Sequence, residues 1–473
     1  MPDERFEDHL RHPRGRGRAP RDGHDGAAGG HVCGDLVRIS LAVDGERVSA
    51  AGFEASGCGA TIAAASAAVE LVQDASVLDA ARIGAAQIAV ELGGLSAGKL
   101  HAADLASDAL HRALGAAVRC DASVDPDPSR TLVAMSGGVD SAVAALLSAR
   151  ETGAQVAAVT LELWADEHAA PPPQGVVGTR SCCSAAAVRG ARALAHGLGL
   201  AHFTLDLRDE FRDGVVDPWL AGHADGETPN PCVRCNGHIR LDAMLDFADR
   251  LGAATLATGH YARTCGDGVL RLAADTSKDQ TYMLAALSPA SLRRLRFPLG
   301  DHCKRDVREL AAQAGLAVAH KPDSQDLCFL AGTGRAAFLA RHGGLSERPG
   351  DVVDAGGRVL GRHSGQHHFT VGQRKGLGIA ATQALYVLKT DARANTVTVG
   401  PRAELATHTV RVRGLRLRRD PDAVRLRYRS PALGCRLDGD EIHLDEPFDG
   451  AAPGQTAVFL AGDAIVGCAT IAA

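Results

Sequence analysis

The chain has 473 residues, of which 45% are hydrophobic and 23% charged, so it can form three or four packed domains and is too apolar for global disorder. Its formal net charge of -5 excludes a surface that is basic overall, so any contact with nucleic acid must use a local basic patch. The 12 cysteines are too sparse for a disulfide scaffold, and neither a cleavable leader nor an apolar run of about 20 residues is recognisable. These features predict a cytoplasmic protein without a membrane segment, whose thiols serve metal or redox chemistry.

The first 130 residues predict a flexible start, a small α+β domain and a linker. Residues 1–30 are polar and lack apolar periodicity, so we expect them to be flexible. Residues 31–120 form the predicted domain, and residues 121–129, with two prolines, form the predicted linker. Within the domain we expect a hairpin of strands 36–43 and 48–55 and helices at 60–72 and 100–118.

The rest of the chain predicts an α/β domain followed by β structure. Across residues 130–340 short apolar strands alternate with helices, which is typical of a doubly wound parallel sheet. Beyond this, short β-prone runs are separated by Gly, Asp and Pro. They predict a small β domain over residues 341–398 and a β-barrel over residues 399–473.

A glycine-rich loop between a strand and a helix is the strongest motif. It reads Ser136-Gly137-Gly138-Val139-Asp140-Ser141 and follows the strand end at Ala134 and Met135. The glycines let the backbone approach a phosphate, whose charge the exposed N–H groups and the helix dipole stabilise. The spacing is not that of a Walker loop. It resembles the pyrophosphatase-type loop of enzymes that split ATP between its α and β phosphates and adenylate an oxygen.

Three cysteines form a candidate chemical site. Cys232 and Cys235 make a Cys-x-x-Cys pair, and Cys328 follows in a second segment. Such a pair can bind metal, form a disulfide or hold a thiolate of lowered pKa. With a third cysteine and an open position, the set can also hold an iron–sulfur cluster with one free iron.

Residues 130–473 resemble the bacterial tRNA-specific 2-thiouridylase family (MnmA). The segments that carry the resemblance are the glycine-rich loop, Thr228–Asn236, Gly259-His260-Tyr261, Ser277–Tyr282, Asp323–Phe329 and Gly372–Gly378, in the family's order. The resemblance implies ATP-dependent adenylation of the C2 oxygen of the wobble uridine in tRNA, followed by sulfur transfer, with AMP and pyrophosphate released. It implies a sulfur donor such as a cysteine desulfurase or relay protein, and Mg²⁺ to neutralise the phosphates.

The same resemblance assigns individual residues. ATP would bind residues Ala134 to Ser141, with Leu161 and Gly259 near the adenosine. Cys328 would carry the persulfide sulfur and Cys235 would be the second catalytic thiol. The residues implied to contact tRNA are Asn230, Pro231 and Cys232 near the target base, Lys278, Asp279 and Gln280, and the pair Arg427 and Tyr428 in the β-barrel.

Cys232 leaves the mechanism open. Some family members have Asp at this position, and with Asp the family transfers a persulfide. With Cys, the thiolates of Cys232, Cys235 and Cys328 can instead ligate a [4Fe-4S] cluster. A structural role for Cys232 is the third reading.

A second candidate site lies in the N-terminal domain. Cys33, Asp35, Cys58 and His101 occupy loops next to predicted strands and helices, and together they suit zinc or an iron–sulfur cluster. The pattern resembles NifU/IscU-type iron–sulfur scaffolds over about residues 8–118. That family has a further Cys directly after the His, where this chain has Ala102. Metal binding, sulfur relay through Cys33 or Cys58, and a degenerate docking module therefore remain alternatives.

Two rival functions differ in class from an RNA-modifying enzyme. One is another adenylating enzyme on the same loop, such as an amidating synthetase, which needs no three placed cysteines. The other is an iron–sulfur carrier that merely binds RNA, against which the intact nucleotide loop argues. Turnover of ATP to AMP with unmodified tRNA separates the three.

Overall fold

The computed structural model describes residues 4–29, 34–151, 153–166, 185–323, 327–330 and 333–473. Within these ranges the strands form four sheets, which follow one another along the chain. The exception is the short strand Leu270–Arg271, which joins the last of these sheets. Across the same ranges, every helix falls short of the length and apolar character that crossing a bilayer requires.

The N-terminal domain is an antiparallel sheet of order β1-β2-β3 with two long helices packed on it. Alternate side chains of β2 point inward, so Val37, Ile39 and Leu41 are fully buried. The helices pack through alanines, whose small side chains allow close approach. The elements are α1 Glu4–Arg11, β1 His24–Gly29, β2 Leu36–Asp44, β3 Arg47–Ser56, α2 Gly59–Val72, α3 Val77–Ala80, α4 Ala85–Glu91 and α5 Leu100–Asp121.

The start of the chain is folded where we predicted a flexible segment over residues 1–30. Helix α1 buries Phe6 and His9, and the Nδ1 atom of His9 lies 2.9 Å from the hydroxyl of Ser66. Strand β1 pairs along its length with β2. The prediction failed because a short helix and an edge strand of small residues need few apolar side chains, and their partners are distant in sequence.

The predicted linker is packed against both of its neighbours. Ala122 and Val124 are buried, the N–H of Ser123 donates to Gly45 at 2.9 Å, and the N–H of Val124 donates to Arg250 at 3.1 Å. Strand β4 begins at Asp127, inside the predicted linker. Helix α5 ends at Asp121, before the two prolines, and tertiary hydrogen bonds fix the following segment instead of leaving it as a tether.

The α/β domain contains the predicted parallel sheet, with strand order β6-β5-β4-β7-β9. The chain builds outward from β4 to β6 and then returns to the other side of β4, so the strand order reverses there. Ligands bind at the carboxyl edge of such a reversal. The elements are β4 Asp127–Ala134, α6 Val139–Arg150, β5 Gln155–Glu162, α7 Ala185–Gly197, β6 Ala201–Asp206, α8 Arg208–Phe211, α9 Asp217–Ala224, α10 Pro231–Cys235, α11 Leu241–Arg250, β7 Ala253–Thr258, β8 Leu270–Arg271, α12 Thr281–Leu284, α13 Pro289–Arg294, β9 Leu295–Arg296, α14 Lys304–Gln313 and α15 Arg335–Gly343.

Two β units complete the molecule. The first is a four-stranded sheet of order β11-β10-β13-β12, and the second is a six-stranded barrel that closes because its first strand, β14, also pairs with its last, β19. The short strand β8 of the α/β domain adds to β19. The elements are β10 Gly350–Val353, β11 Val359–His363, β12 Tyr386–Asp391, β13 Thr396–Gly400, β14 Ala406–Leu417, β15 Ala423–Arg425, β16 Leu433–Asp438, β17 Glu441–Asp449, β18 Thr456–Ala461 and β19 Ala464–Ile471.

Candidate active site

The glycine-rich loop turns the chain from the end of β4 into α6 at the carboxyl edge of the sheet. Its tight shape is held by Ser141, whose hydroxyl accepts from the N–H of Ser136 at 3.1 Å and donates to the carbonyl of Gly138 at 3.1 Å. Gly137 has a φ of +68°, a left-handed conformation that favours glycine. The loop is therefore preformed, with backbone N–H groups at the start of a helix, as phosphate binding requires.

A second strand end packs directly onto this loop. Gly259 follows β7, and a Cβ atom placed there would lie 2.7 Å from the amide nitrogen of Ser141 and 2.8 Å from the carbonyl carbon of Asp140. Only glycine allows this approach of two backbones. The structure thus brings Gly259, predicted to lie near adenosine, against the predicted phosphate loop.

Asp140, in the first turn of α6, lies at the centre of a charged network. The ammonium group of Lys304 lies 2.8 Å from both of its carboxylate oxygens, and the hydroxyl of Tyr261 donates to it at 3.0 Å. Burial and the adjacent Asp140 carboxylate raise the pKa of Tyr261 well above its ordinary value, so the phenol stays protonated. The network places positive charge and a hydroxyl donor beside the loop.

Asp323 extends this network toward the Cys328 segment. Its carboxylate accepts from Lys304 at 2.9 Å, from Arg308 at 3.0 Å and from Lys278 at 3.1 Å. Partial burial opposes ionisation, but the hydrogen bonds from Lys304 and Lys278 prevail and hold the pKa of Asp323 below its ordinary value. Lys278, predicted to contact tRNA, therefore lies in the network of the nucleotide loop.

The Cys-x-x-Cys pair occupies the short helix α10. Asn230 caps this helix, since its side-chain oxygen accepts from the amides of Cys232 at 3.1 Å and Val233 at 3.3 Å, and Pro231 begins the first turn. Cys232 is half-buried and Cys235 is buried. The predicted base-contacting residues therefore share one capped turn with one of the predicted catalytic thiols.

Cys328 begins a short 3₁₀ turn that is anchored by its neighbour Phe329. The Phe329 ring packs at 6.0 Å from Phe211 and at 5.3 Å from Trp219, measured between ring centroids. Helix α10 packs on residues 212–216, which lie between Phe211 and Trp219, and the Arg234 guanidinium donates to the Gly214 carbonyl. Both thiol-bearing turns thus lie against residues 211–219, and Cys328 itself is half-buried.

A chain of contacts joins the nucleotide loop to the capped turn. Tyr261, whose hydroxyl reaches Asp140, donates its N–H to the side chain of Gln280 at 2.9 Å. Two residues later, the Tyr282 hydroxyl interacts with the side chain of Asn230 and donates to the carbonyl of Thr456 at 2.7 Å. Gln280, predicted to contact tRNA, is therefore part of the connection between the two halves of the site.

The remaining residues predicted to contact tRNA lie where the barrel meets the α/β domain. Asp279 is buried, accepting from Arg425 at 3.1 Å and from the amide of Ala273 at 2.8 Å. Arg427 is exposed and donates to the carbonyl of Gly450 at 2.9 Å. The half-buried ring of Tyr428 packs 5.8 Å from that of Tyr282. Asp279 thus holds the domains together, while Arg427 offers charge to solvent.

The second candidate site lies at the rim of the N-terminal domain. One ligand atom each of Asp35, Cys58 and His101 lies within 4.8 Å of the other two, and Asp35 is buried while the others are exposed. The Asp35 carboxylate accepts from the hydroxyl of Thr61 at 2.6 Å and the amide of Cys58 at 3.1 Å. These bonds, the Thr61 hydroxyl first, lower the pKa of Asp35, so its carboxylate is anionic and could serve as a ligand for a cation.

His101 is held beside Asp35. Its Nδ1 atom donates to the Gly98 carbonyl at 3.0 Å, and its Nε2 atom lies 3.5 Å from an Asp35 carboxylate oxygen. A carboxylate, a thiol and an imidazole together form a donor set that fits zinc or ferrous iron. Ala102 is fully buried, and Cys33 lies outside the described residues.

Sequence reasoning missed several residues of the active site. Lys304 and Lys321 were not singled out, although the Lys321 ammonium group lies 2.8 Å from the carbonyl of Gly137 in the loop. The carboxylate of Asp323 was also given no role. An isolated lysine or carboxylate carries no pattern, because most such residues are solvated, so only tertiary placement distinguishes these three residues.

Comparisons with known proteins place each domain. Residues 129–332 match the tRNA methyl transferase HUP domain family, residues 3–119 the NifU-like N terminal domain, residues 336–401 the tRNA methyl transferase PRC-barrel domain and residues 421–471 the aminomethyltransferase beta-barrel domain. A bifunctional protein NifU/MnmA from Rubrobacter xylanophilus is 44% identical over 96% of this chain and 95% of its own length. A tRNA-specific 2-thiouridylase MnmA from Methylorubrum extorquens is 43% identical over 72% of this chain and 91% of its own length.

Proposed function

We infer the reaction from the family to which this chain belongs: it is a member of the tRNA-specific 2-thiouridylase family and carries a NifU-like domain ahead of its catalytic part. The chain is a tRNA uridine 2-sulfurtransferase. It replaces the C2 oxygen of uridine in tRNA with sulfur and consumes ATP.

In the first step the uridine C2 oxygen attacks the α-phosphate of ATP and pyrophosphate leaves. The loop from Ser136 to Ser141 binds the phosphates through backbone N–H groups, which stabilise the charge that develops on them. Lys304 and Lys321 add positive charge on two sides of the loop. Asp140 lies in the loop and its carboxylate oxygens are of the type that Mg²⁺ prefers, so it would help to hold Mg²⁺, which would neutralise the phosphates of ATP.

In the second step a sulfur nucleophile replaces AMP at C2. Adenylation is needed because the C2 oxygen alone is a poor leaving group. Cys328 carries the sulfur as a persulfide, whose terminal sulfur attacks C2 as AMP departs. Cys235 then attacks the Cys328 sulfur, which releases 2-thiouridine and leaves a Cys235–Cys328 disulfide that an external thiol reduces. Asn230 and Pro231 place the base at the capped turn.

Cys232 favours a second arrangement of the thiols. It lies on the same turn as Cys235, so together with Cys328 the chain has the three thiolates that a [4Fe-4S] cluster with one open iron requires. Such a cluster would hold the transferred sulfide at its open iron. Iron and sulfide analysis after anaerobic purification, with Cys232→Ala beside the unchanged chain, separates the two arrangements.

One observation carries the assignment: contacts through Tyr261, Gln280 and Tyr282 run from Asp140 to Asn230, joining the nucleotide loop to the cysteine turn. The test uses ATP and unmodified tRNA. We expect AMP and pyrophosphate in proportion to 2-thiouridine. Formation of ADP, or AMP without any dependence on tRNA, would contradict the proposal. The donor of sulfur is a desulfurase or relay protein, whose addition should raise the rate.

A further inference from the structure

We propose that the N-terminal domain acts on thiolation through Arg112, a positioning residue that fixes the carboxyl end of β5 beside the nucleotide, and not by passing a ligand from the Asp35–Cys58–His101 site to the catalytic thiols of the same chain. This inference rests on the proposed function, because it assumes that ATP binds at the glycine-rich loop. Its evidence is the docking of α5 on the catalytic sheet.

Helix α5 occupies the position that a further strand would take beside β6, the edge strand of the parallel sheet. The outward carbonyl of His202 lies 2.8 Å from Nδ1 of His111, and that of Asp206 accepts from Arg119 at 3.3 Å. Between them the carbonyl of Thr204 faces Gly115, where a Cβ atom would lie only 1.9 Å away. Three residues of α5 that are four positions apart on one helix face thus cover every second residue of β6. The exposed edge of the parallel sheet is therefore closed by α5.

Buried ion pairing fixes this contact. Asp108 of α5 and Arg192 of α7 form a salt bridge whose two side chains are only 5% and 6% exposed. Separating them would leave two buried charges without partners, or require both to become hydrated together. The packed segment around Val124 holds the other end of α5. The N-terminal domain is therefore docked as a fixed part of the catalytic sheet.

The direction of α5 places the Asp35–Cys58–His101 site away from the carboxyl edge of the sheet, so the site is poorly placed to pass a ligand to the catalytic thiols. As the helix runs from His111 to Arg119, its contacts on β6 move from His202 to Asp206, so helix and strand run the same way. His101 lies ten residues before His111, so about 15 Å of helix separates it from the residues of α5 that contact β6. The Asp35–Cys58–His101 site therefore lies beyond the His202 end of this contact, on the side away from the carboxyl edge.

Arg112 makes the contact that reaches the carboxyl edge. Its Nε donates to both carboxylate oxygens of Glu162 at 3.1 Å and its Nη2 donates at 2.6 Å, while Nη1 donates to the carbonyl of Ala27 at 2.8 Å. Glu162 is the last residue of β5 and is 7% exposed. Its neighbour Leu161 lies two residues beyond Val159, whose carbonyl accepts from Met135 just before the glycine-rich loop.

This pairing gives Arg112 a specific role. The fork of a guanidinium fixes a buried carboxylate in direction as well as distance. Glu162 is the last residue of β5, the strand beside the glycine-rich loop. The position of its carboxylate therefore fixes the backbone at Leu161, against which adenosine would pack. Arg112 belongs to the N-terminal domain, so that domain contributes to nucleotide binding without touching the nucleotide.

The test measures KM for ATP and kcat for AMP formation with unmodified tRNA, using the full chain. We expect Arg112→Met and Glu162→Gln each to raise KM about 5–20-fold with kcat within about twofold, and the double variant to be no worse than the poorer single one. Arg112→Lys should recover part of the loss. Arg38→Met, an exposed arginine of the same domain, is the matched control and should behave like the unchanged chain.

A purely structural role would lower the active fraction, and hence kcat, at constant KM, and that outcome overturns the inference. So does an additive double variant. If the unchanged chain forms no AMP, the proposed function fails instead, and the two failures are thereby distinct.

Cys58→Ala completes the test, with a cysteine desulfurase and cysteine as the sulfur source. It should lower the metal bound to the chain while KM for ATP and the rate of 2-thiouridine formation stay unchanged. Loss of thiolation at an unchanged KM would mean that the site supplies the thiols of its own chain, which contradicts the inference.

Discussion

The nucleotide loop and the Asp35–Cys58–His101 site are both built from loops next to strands and helices, but their surroundings differ. At the nucleotide loop, carboxylates and ammonium groups from distant segments pair with one another and are partly buried. At the N-terminal site, two of the three ligands are exposed and the third is held by one hydroxyl and one amide. The first site is organised to stabilise charge during a reaction, and the second is organised to be reached from outside.

The largest effect should come from removing the thiol that is proposed to carry the transferred sulfur. Cys328→Ala should reduce 2-thiouridine formation at least ~10³-fold while ATP binding persists, because it removes the proposed sulfur carrier and no phosphate contact. Cys265→Ala, which removes an exposed thiol elsewhere, is the control and should be silent. Mass spectrometry of the tRNA nucleosides measures the product. Retained thiolation in Cys328→Ala would remove this residue from the mechanism.

Lys304→Met should lower kcat/KM for ATP by about 10–100-fold, because it removes a charge that lies 2.8 Å from Asp140 and 2.9 Å from Asp323. The adjacent Arg305→Met is the matched control, since its exposed side chain pairs with Asp306 and Glu309 on the helix surface. Initial rates of AMP release check both variants. Equal rates for the two would mean that Lys304 has no special place at the loop.

Gly115→Ala tests the contact that joins the two regions. A methyl group there meets the Thr204 carbonyl, so helix and strand must separate, and we expect a loss of about 1–3 kcal/mol in the free energy of unfolding. Gly190→Ala makes the same substitution in α7, where no atom of the described residues lies within 4 Å of the added methyl group, and should stabilise the helix by up to about 1 kcal/mol. Denaturant titration compares them. If Gly115→Ala leaves the free energy of unfolding unchanged, α5 does not pack tightly against β6.

The smallest effect on stability belongs to the exposed site. His101→Ala should change the free energy of unfolding of the metal-free chain by less than about 0.5 kcal/mol, because the side chain is 46% exposed and makes one backbone hydrogen bond. The amount of zinc or iron bound to the His101→Ala variant, measured by elemental analysis after dialysis, should fall markedly below that of the unchanged chain. His12→Ala, another exposed histidine of the same domain, should leave the metal content unchanged. Unaltered metal in His101→Ala would exclude this residue as a ligand.

The sequence predicted the fold class because periodicity is local. Alternation of strands and helices over residues 130–340 gave the parallel sheet, and short β-prone runs gave the closed barrel. It did not predict that residues 4–29 are folded, since the apolar partners of Phe6 and of β1 are far along the chain. Nor did it predict the packed segment around Val124, where backbone hydrogen bonds to Gly45 and Arg250 outweigh a composition typical of linkers.

For the site, the sequence by itself indicated the parts that carry a pattern, namely the glycine-rich loop, the Cys-x-x-Cys pair and the candidate ligands Asp35, Cys58 and His101, which the structure brings together. Tertiary structure alone decided the roles of Lys304, Asp323 and Arg112, because a charged residue becomes part of a site only when a partner fixes it. It also decided that α5 closes the edge of the catalytic sheet. The physical reason is the same in each case. The free energy of a buried charge or an unpaired backbone group depends on the partner groups that lie within a few ångströms of it, and these partners come from segments that are distant in the sequence.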